Sequence, residues 1–529
     1  MYYVVGSGPS GVMCAQALLD CGAPVTMLDV GVQCEPERLA AVSALSRLDP
    51  QDWEPALLEK IRFPARAQEM PLKLCYGSDF PYAKNEMGLL SQHGTKCLQS
   101  FAKGGLSNVW GASVLPNLRE DFAGWPLTLE EMAPHYAAVA RSVKIAGAHD
   151  DLEALFPFYH PPLRPATMSR QAQRLVERMR LYKTALRAEG ILFGQSRLAV
   201  RTQDEDSGKA CQYTGLCLSG CPYMAIWNSA DTVESLQVRP GFTYRNKLMV
   251  VRIECPDTGG VRVHCRCMDN FEAVVFEGAR AFLGCGVIST SKIVIDSLKG
   301  HGKKFILQFQ PYFLLPLMAF RNTPDVAAER LHTLAQLYID ILDPKISSHP
   351  IHMQLYTNNE FIRERLRAAT RFLGPGQNRV RRIFEGRLMA IQGYLHSAEA
   401  GGIELTSVFA PGGGHLELRA RCGLTMRRTI RRAVAKLAAN SRKIGAMPLW
   451  PLMRFGIPGE GNHIGGIFPM RLNPRDFESD ALGRLAGLPR VHIVDASVLT
   501  NLSATTLTYT MMANAHRIAT AAAKLDQTG

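Results

Sequence analysis

MYYVVGSGPSGVMCAQALLDCGAPVTMLDVG, residues 1–31, decides the fold. Tyr2 to Val5 is a short apolar run suited to a buried strand. Gly6, Gly8 and Gly11 follow at GxGxxG spacing, with Pro9 and Ser10 between the last two. Gly6 permits a tight turn, Gly8 lets a pyrophosphate approach the backbone, and Gly11 lets the next helix pack on the strand. That helix is expected from Pro9 to Cys21, with its N-terminal amides aimed at the phosphates. Asp29 closes the second strand, 18 residues after Gly11, where a carboxylate binds a ribose hydroxyl. Strand, turn, helix, strand and acid in register predict a dinucleotide-binding domain. The motif does not by itself separate NAD from FAD.

The rest of the chain sets wider bounds. At 529 residues two or three subdomains are expected, which can be interleaved. Hydrophobic content of 47% with 20% charged residues is that of an ordinary globular protein. No stretch reaches the ~18 apolar residues of a membrane-spanning helix. The nearest, FILQFQPYFLLPLMAF (305–320), is interrupted by two prolines and two glutamines. It reads as buried or substrate-facing strand, with peripheral membrane contact as a minority alternative. The net charge of +13 concentrates at NRVRRIFEGR (378–387) and TMRRTIRRAVAK (425–436). Such runs suit anionic lipid or a phosphate-bearing substrate, although a solvated helix face is the plainer reading. No aromatic–basic pattern accompanies them, which argues against nucleic acid. Thirteen scattered cysteines, an odd number, fit reduced thiols better than a disulfide framework. The N-terminus runs directly into strand, leaving no room for a signal peptide, so a cytoplasmic location is expected.

Three further segments read as parts of the nucleotide domain. KGGLSNVWGASVLPN (103–117) is a glycine-rich loop; VVRIE (250–254) and FLGCGVISTSKIVIDS (282–297) read as strands, a Gly-x-Gly turn and a helix. VHIVDASVLTNLSATTLTYTMMANAHRIATAAAK (491–524) is a strand, an aspartate, a loop and a long helix. With IVDASVL followed by ATTLTYTMMANAHRIA, the chain resembles the glucose–methanol–choline (GMC) family of FAD-dependent oxidoreductases. The resemblance covers both ends and most of the nucleotide domain; the middle third matches only in outline. It implies an α/β fold with a Rossmann-like FAD-binding domain of the GMC/p-hydroxybenzoate hydroxylase type and a substrate domain on an antiparallel β-sheet. The FAD-binding domain would be discontinuous, over 1–35, 90–125, 225–300 and 465–529. The substrate and cover domain would take 36–89, 126–224 and 301–464.

The resemblance also implies FAD contacts from Gly104, Gly105, Ser107, Asn108 and Val109 in the second glycine loop. Val250 takes the strand position beside the adenine, Gly284 the Gly-x-Gly turn, and Asp495 with Ala496 the ribityl–pyrophosphate region. Thr506, Leu507 and Thr508 open the closing helix near the flavin pyrimidine ring, where a helix N-terminus stabilises negative charge. In a pyranose-oxidase-like branch a histidine two residues after the loop serine is joined covalently to flavin. That register falls on Val109, so FAD is expected to bind non-covalently.

GNHIGGIFPM (461–470) supplies the candidate base. The family places a histidine a few tens of residues before the closing strand, and His463 lies 32 residues before Asp495. Oxidation of a carbinol needs a group to take the hydroxyl proton, and a near-neutral imidazole suits it. The neighbouring glycines are expected to let ligand lie close. A structural histidine is the competing reading. Most members carry a second His or Asn beside a proline in the closing loop. Here that site is Thr506, followed by Leu507; a threonine hydroxyl is no base at neutral pH. Thr505 is the neighbour if the register slips by one, and Asn462 could supply an amide from the other side. His516, inside the closing helix, reads as structural.

CQYTGLCLSGCPYMAIWN (211–228) has ferredoxin-like spacing with Thr214 in place of the second cysteine. It reads as a packed loop, with an iron–sulfur or zinc site at Cys211, Cys217 and Cys221 as the sharper alternative; no metal is expected. The leading functional reading is an FAD-dependent oxidoreductase of a CH–OH group in an alcohol, sugar or polyol, with an unidentified electron acceptor. A lipidic alcohol or sterol oxidoreductase, a non-redox FAD lyase and a flavin-binding scaffold are the alternatives.

Overall fold

The computed structural model describes residues 1–62, 73–82, 89–205, 208–371, 377–408, 414–421 and 423–528. Part of the 36–89 segment, expected in the substrate and cover domain, lies outside the described residues.

A five-stranded parallel sheet carries the N-terminal motif. Its order is Val491–Ile493, Arg280–Leu283, Tyr2–Val5, Val25–Leu28, Phe242–Arg245. The first strand pairs on both sides, Val4 with Met27 and with Phe282, and Val4, Val25, Met27 and Phe282 are fully buried. Parallel strands covered on both faces read as continuous apolar runs, as YYVV and VTML do. Helix Pro9–Asp20 makes the crossover, one residue shorter than expected, and the closing helix Leu507–Thr528 packs along it. Helix Leu129–Val143 packs on that closing helix. It starts at a capping box, Thr128 accepting from the Glu131 amide at 3.3 Å and Glu131 accepting from the Thr128 amide at 2.7 Å. It ends at Val143, where Lys144 turns left-handed at φ 56°.

Two antiparallel layers adjoin. One runs Ile464–Gly465, Lys304–Phe309, Ile403–Val408, His415–Ala420, with Leu90–His93 added in parallel. So Leu90–His93 lies outside the parallel sheet. The other runs Ala446–Pro448, Tyr312–Ala319, Leu388–Tyr394, Ile351–Tyr356, Leu337–Ile341, Ile191–Gln195, with Arg454–Phe455 also on Tyr312–Ala319. The stretch FILQFQPYFLLPLMAF is therefore two strands in two sheets. The break falls at Gln310–Pro311, between Phe309 and Tyr312. Proline lacks an amide proton, so Pro311 marks the corner at which the chain leaves one ladder for the next.

The larger sheet has two unlike faces, as period-2 alternation requires. Phe313, Leu315, Leu317, Met353, Leu355, Met389 and Ile391 make the apolar one, all at most 2% exposed. The other carries Tyr338, Asp340, His352, Gln354, Tyr356, Gln392 and Tyr394, with His352 opposite both Asp340 and Tyr394. TMRRTIRRAVAKLAANSRK forms the helix Leu424–Ala439 and, past Asn440, the turn Ser441–Ile444. Among the described residues no helix is long and apolar enough to cross a membrane.

Candidate active site

The three motif glycines do different work. A Cβ on Gly6 (φ 92°) would lie 2.6 Å from Cys285 Cα, and one on Gly11 only 1.9 Å from the Gly6 carbonyl oxygen. A Cβ on Gly284 would lie 3.0 Å from the Gly11 amide nitrogen. These three let two strand ends and a helix meet. Gly8 differs: its nearest neighbour would be the Gly284 oxygen at 3.9 Å, so the space beside it is open. Helix Pro9–Asp20 begins there with no side-chain cap and no acid in its first turn. The Ser10 hydroxyl is buried with no hydrogen-bond partner among the described residues. Open space, uncapped amides and an orphaned hydroxyl fit a pyrophosphate.

The second glycine loop lies over the first. Gly104 and Gly105 are left-handed (φ 84° and 54°), and a Cβ on Gly105 would sit 3.5 Å from Gly8 Cα. Ser107 donates to the Gly104 carbonyl at 2.6 Å, and Asn108 donates to Gly105 at 2.7 Å and Lys103 at 2.9 Å. Asn228 reaches Asn108 Oδ1 at 2.7 Å. The Ser107 and Asn108 side chains thus build the loop itself. Val109 ends its 3-10 turn, half-buried.

Asp29 stands at the end of strand Val25–Leu28, buried, and accepts from the Ser7 hydroxyl and from Tyr244 OH at 3.0 Å. Burial pushes its pKa up to about 6, against the pull of those hydrogen bonds and of Lys103. The Gly104 amide donates to Ser7 Oγ at 2.9 Å, so one hydroxyl ties the acid to the second loop. Lys103, buried, pairs with Glu234 at 2.5 Å and lies 5.0 Å from the Tyr244 ring. Val250 is buried on Leu248–Glu254, whose first amide donates to the Asp29 carbonyl at 2.9 Å. Asp495 is a clamp: its carboxylate accepts from the Gly286 amide (3.0 Å), Thr290 Oγ1 (2.5 Å) and the Ser497 amide (2.9 Å). Ala496 follows it and accepts from the Gly466 amide at 2.9 Å.

His463 meets the closing turn through Gln310, a residue no sequence motif flags. Gln310 donates from Nε2 to the Ser503 carbonyl and, at 2.7 Å, to the Thr505 carbonyl. Two carbonyls fix the amide's orientation, so its Oε1 faces His463 Nδ1, within hydrogen-bond distance. An acceptor there requires Nδ1 to carry the proton, which leaves Nε2 with its lone pair. The Gln310 amide also donates to the His463 carbonyl at 2.9 Å. Burial, and then the nearness of His352, lower the His463 pKa to about 4, so the ring is neutral at physiological pH. The residue as a whole is half-buried.

The polar sheet face closes over this histidine. The Tyr394 ring centroid is 5.2 Å from that of His463. His352 Nδ1 contacts Asp340 Oδ1 at 2.9 Å with both side chains fully buried, and Asp340 Oδ2 has no partner among the described residues. Ser113 of the glycine loop donates to Gln354 Oε1 at 3.4 Å, and Tyr356 donates to the same oxygen at 2.9 Å. Thr506 Oγ1 accepts from the Leu115 amide at 3.1 Å, so it ties the closing turn to the glycine loop. Thr505 shares a 3.1 Å contact with Ser503. Leu507 is buried at the helix start and Thr508 half-exposed. Asn462 is exposed, in left-handed backbone (φ 59°), on the outer side of the turn.

The glycines after His463 serve packing, contrary to the expectation that they admit ligand. A Cβ on Gly465 would lie 2.5 Å from the Ala496 oxygen, and one on Gly466 2.5 Å from Gln308 Nε2. The signal for the sheet residues was present in the sequence: HMQLY (352–356) alternates polar or aromatic side chains with apolar ones. Gln310 gave none, because its role depends on a corner between sheets.

Elsewhere, burial pushes the Cys211 and Cys221 thiols up, and Cys217 Sγ accepts from the Thr333 amide at 3.4 Å. Among the described residues no three metal-ligating side chains converge on one point. His516 meets His135, Nδ1 to Nδ1, at 2.9 Å between two helices.

No protein-family model and no curated protein matches the chain. Solved structures do match over its whole length. Pyridoxine 4-oxidase from Mesorbium loti is similar over 100% of this chain and 99% of its own, at 14% identity and a TM-score of 0.59. Formate oxidase is similar over 100% and 98%, at 12% identity and a TM-score of 0.61. An R554K variant of the Aspergillus oryzae RIB40 formate oxidase, studied for FAD modification, gives 0.60 at 12% identity. At such identities the likeness is one of fold, and the chain has the fold of the GMC oxidoreductases.

Proposed function

We propose that this protein is an FAD-dependent oxidoreductase that oxidises a CH–OH group of a small polar alcohol, sugar or polyol. One observation carries the reading: Gln310, locked by two carbonyls, presents His463 with Nε2 unprotonated beneath a polar sheet face. Two of the fold neighbours bear the names of oxidases of small polar molecules, which supports it.

The glycine turns at Gly6–Gly11 and Gly104–Gly105, the Ser10 hydroxyl and Asp29 would hold the dinucleotide. FAD bound there would supply a hydride acceptor for the carbinol carbon. His463 Nε2 takes the hydroxyl proton, so the substrate loses one hydride and one proton and becomes a carbonyl compound. Gln310 keeps the imidazole in the tautomer that can do this. Thr506 cannot take the proton, since a threonine hydroxyl is no base at neutral pH; its oxygen accepts from the Leu115 amide. His352, on the sheet face that carries Tyr394, is fully buried and held by Asp340, so it shapes the wall beside His463. The Tyr, Gln and His side chains of this wall suit a hydroxylated substrate better than a sterol ring.

Anaerobic titration against sugars, polyols, long-chain alcohols and sterols tests the reading. Bleaching of the flavin bands by a polar alcohol is the expected outcome; bleaching by none of them would sink it. A narrower test concerns Gln310. Gln310→Leu removes the acceptor that fixes the tautomer, and the rate of flavin reduction should fall roughly 10–100-fold. Since Gln310 also holds the 503–505 turn, flavin content is measured alongside. A normal rate at normal flavin content would remove Gln310 from the mechanism.

A further inference from the structure

The seven-stranded sheet ends in an unusual edge. Residues 446–457 run along strand Tyr312–Ala319, pairing through Ala446–Pro448 and Arg454–Phe455, with a 3-10 turn at Trp450–Leu452 between. This strip leaves large apolar side chains in water: Trp450 is 66% exposed, Leu452 65% and Met447 47%. Phe320, 45% exposed, continues the neighbouring strand, its amide bonded to the Gly445 carbonyl at 3.0 Å. Phe384, 38% exposed, comes beside it, because the Ala319 amide donates to the Arg387 carbonyl and the Arg387 amide to Phe384. Isolated exposed apolar residues need no explanation, but five large ones carried by one sheet edge and the segments bonded to it point to an interaction surface.

The ridge is flanked by positive charge. Helix Leu424–Ala439 packs on the same strip and buries Met426, Ile430, Ala433, Val434 and Leu437. Its outward side carries Arg427, Arg428, Arg431 and Arg432, all exposed, and Arg427 stacks on Phe455 at 5.3 Å. On this helix only Lys436 is in a salt bridge among the described residues, to Asp343 and Glu189. From Leu418 to Gly459 the chain holds ten Lys and Arg and no acid.

We propose that this edge is a peripheral docking surface for an anionic lipid bilayer. The ridge inserts at the headgroup boundary, and the arginines meet the lipid phosphates. Tryptophan favours that boundary because its ring is apolar and its N–H polar. Apolar insertion and basic charge are the two signals that together give stable yet reversible attachment. Nucleic acid would use the arginines but leave Leu452 and Met447 without a partner. The inference does not rest on the flavin chemistry: Met447, opposite Met318, shares the sheet face of Tyr394, but none of these side chains contacts His463 or the glycine loops in the interactions described.

Co-sedimentation of the full chain with equimolar phosphatidylglycerol–phosphatidylcholine vesicles tests it, against phosphatidylcholine vesicles alone. Binding should require the anionic lipid and fall as salt is raised. The double variant W450S/L452S and the variant R428Q/R431Q/R432Q should each bind at least about tenfold more weakly. Unchanged near-ultraviolet circular dichroism and melting temperature show that each variant is folded. The proposal is overturned by no binding by the wild-type protein, by full binding by W450S/L452S, or by a self-associated wild type that W450S/L452S renders monomeric. The last would assign the ridge to a second copy of the chain. Equal binding to duplex DNA by the wild type and W450S/L452S would assign the arginines to nucleic acid, and also overturns it.

Discussion

Replacing His463 with alanine lowers the rate of flavin reduction by alcohol about 10²–10⁴-fold, the usual loss on removing a general base. Flavin content stays at the wild-type level, because the histidine contributes to the local backbone through its carbonyl, which alanine retains. The pH dependence carries a second sign. Burial holds the His463 pKa at about 4, so the lone pair on Nε2 is present throughout the neutral range. In the wild type the reduction rate should be flat from neutral pH downward and decline only as the pH falls through about 4. A free imidazole would impose that decline near 6.5. Anaerobic stopped-flow measurements across pH read both effects. A His463→Ala rate within threefold of wild type would remove the residue from the chemistry.

The second large effect separates two glycines of one motif. Gly11→Ala places a methyl group 1.9 Å from the Gly6 carbonyl oxygen. Both partners are backbone, so no rotamer relieves the overlap, and the turn or the helix must move. This variant should lose both bound flavin and thermal stability. Gly8→Ala meets nothing closer than 3.9 Å within the protein. The flavin-free Gly8→Ala protein should therefore melt within a few degrees of wild type, since cap substitutions by small residues cost about 1 kcal/mol. Its flavin affinity should nonetheless collapse, because the methyl group projects into the open space beside Gly8. Melting curves of the flavin-free proteins, with absorbance of the flavin-loaded ones, decide the matter. Equal behaviour of the two variants would mean that the glycines share one packing role and that Gly8 does not face the cofactor.

These contrasts show why the motif was legible while the site was only partly so. GxGxxG with Asp29 is a local pattern: each residue's task follows from turn sterics and helix geometry over some thirty residues, and the structure places strand, helix and acid where the spacing put them. The long helices were legible for the same reason, with errors confined to their ends. At Ser107, Asn108 and Asp495 the sequence did not indicate what the side chains do. Their hydrogen-bonding groups are consumed within the protein, which holds the shape around the cofactor site. The glycines beside His463 were legible as glycines, but what they accommodate is the carbonyl of Ala496 and the side chain of Gln308.

The sequence by itself determined the strand–turn–helix–strand order of the parallel-sheet half and singled out His463 as the histidine to watch. Only the tertiary structure decided how that histidine is set. Gln310 stands 153 residues away along the chain and reaches it because Pro311 breaks one run of apolar residues into two strands of different sheets. The pairing of His352 with Asp340 and the polar wall around Tyr394 depend in the same way on strand register, which no local spacing encodes. A tautomer is fixed by whichever group lies opposite a ring nitrogen, and for His463 that group is brought there by the packing of two sheets.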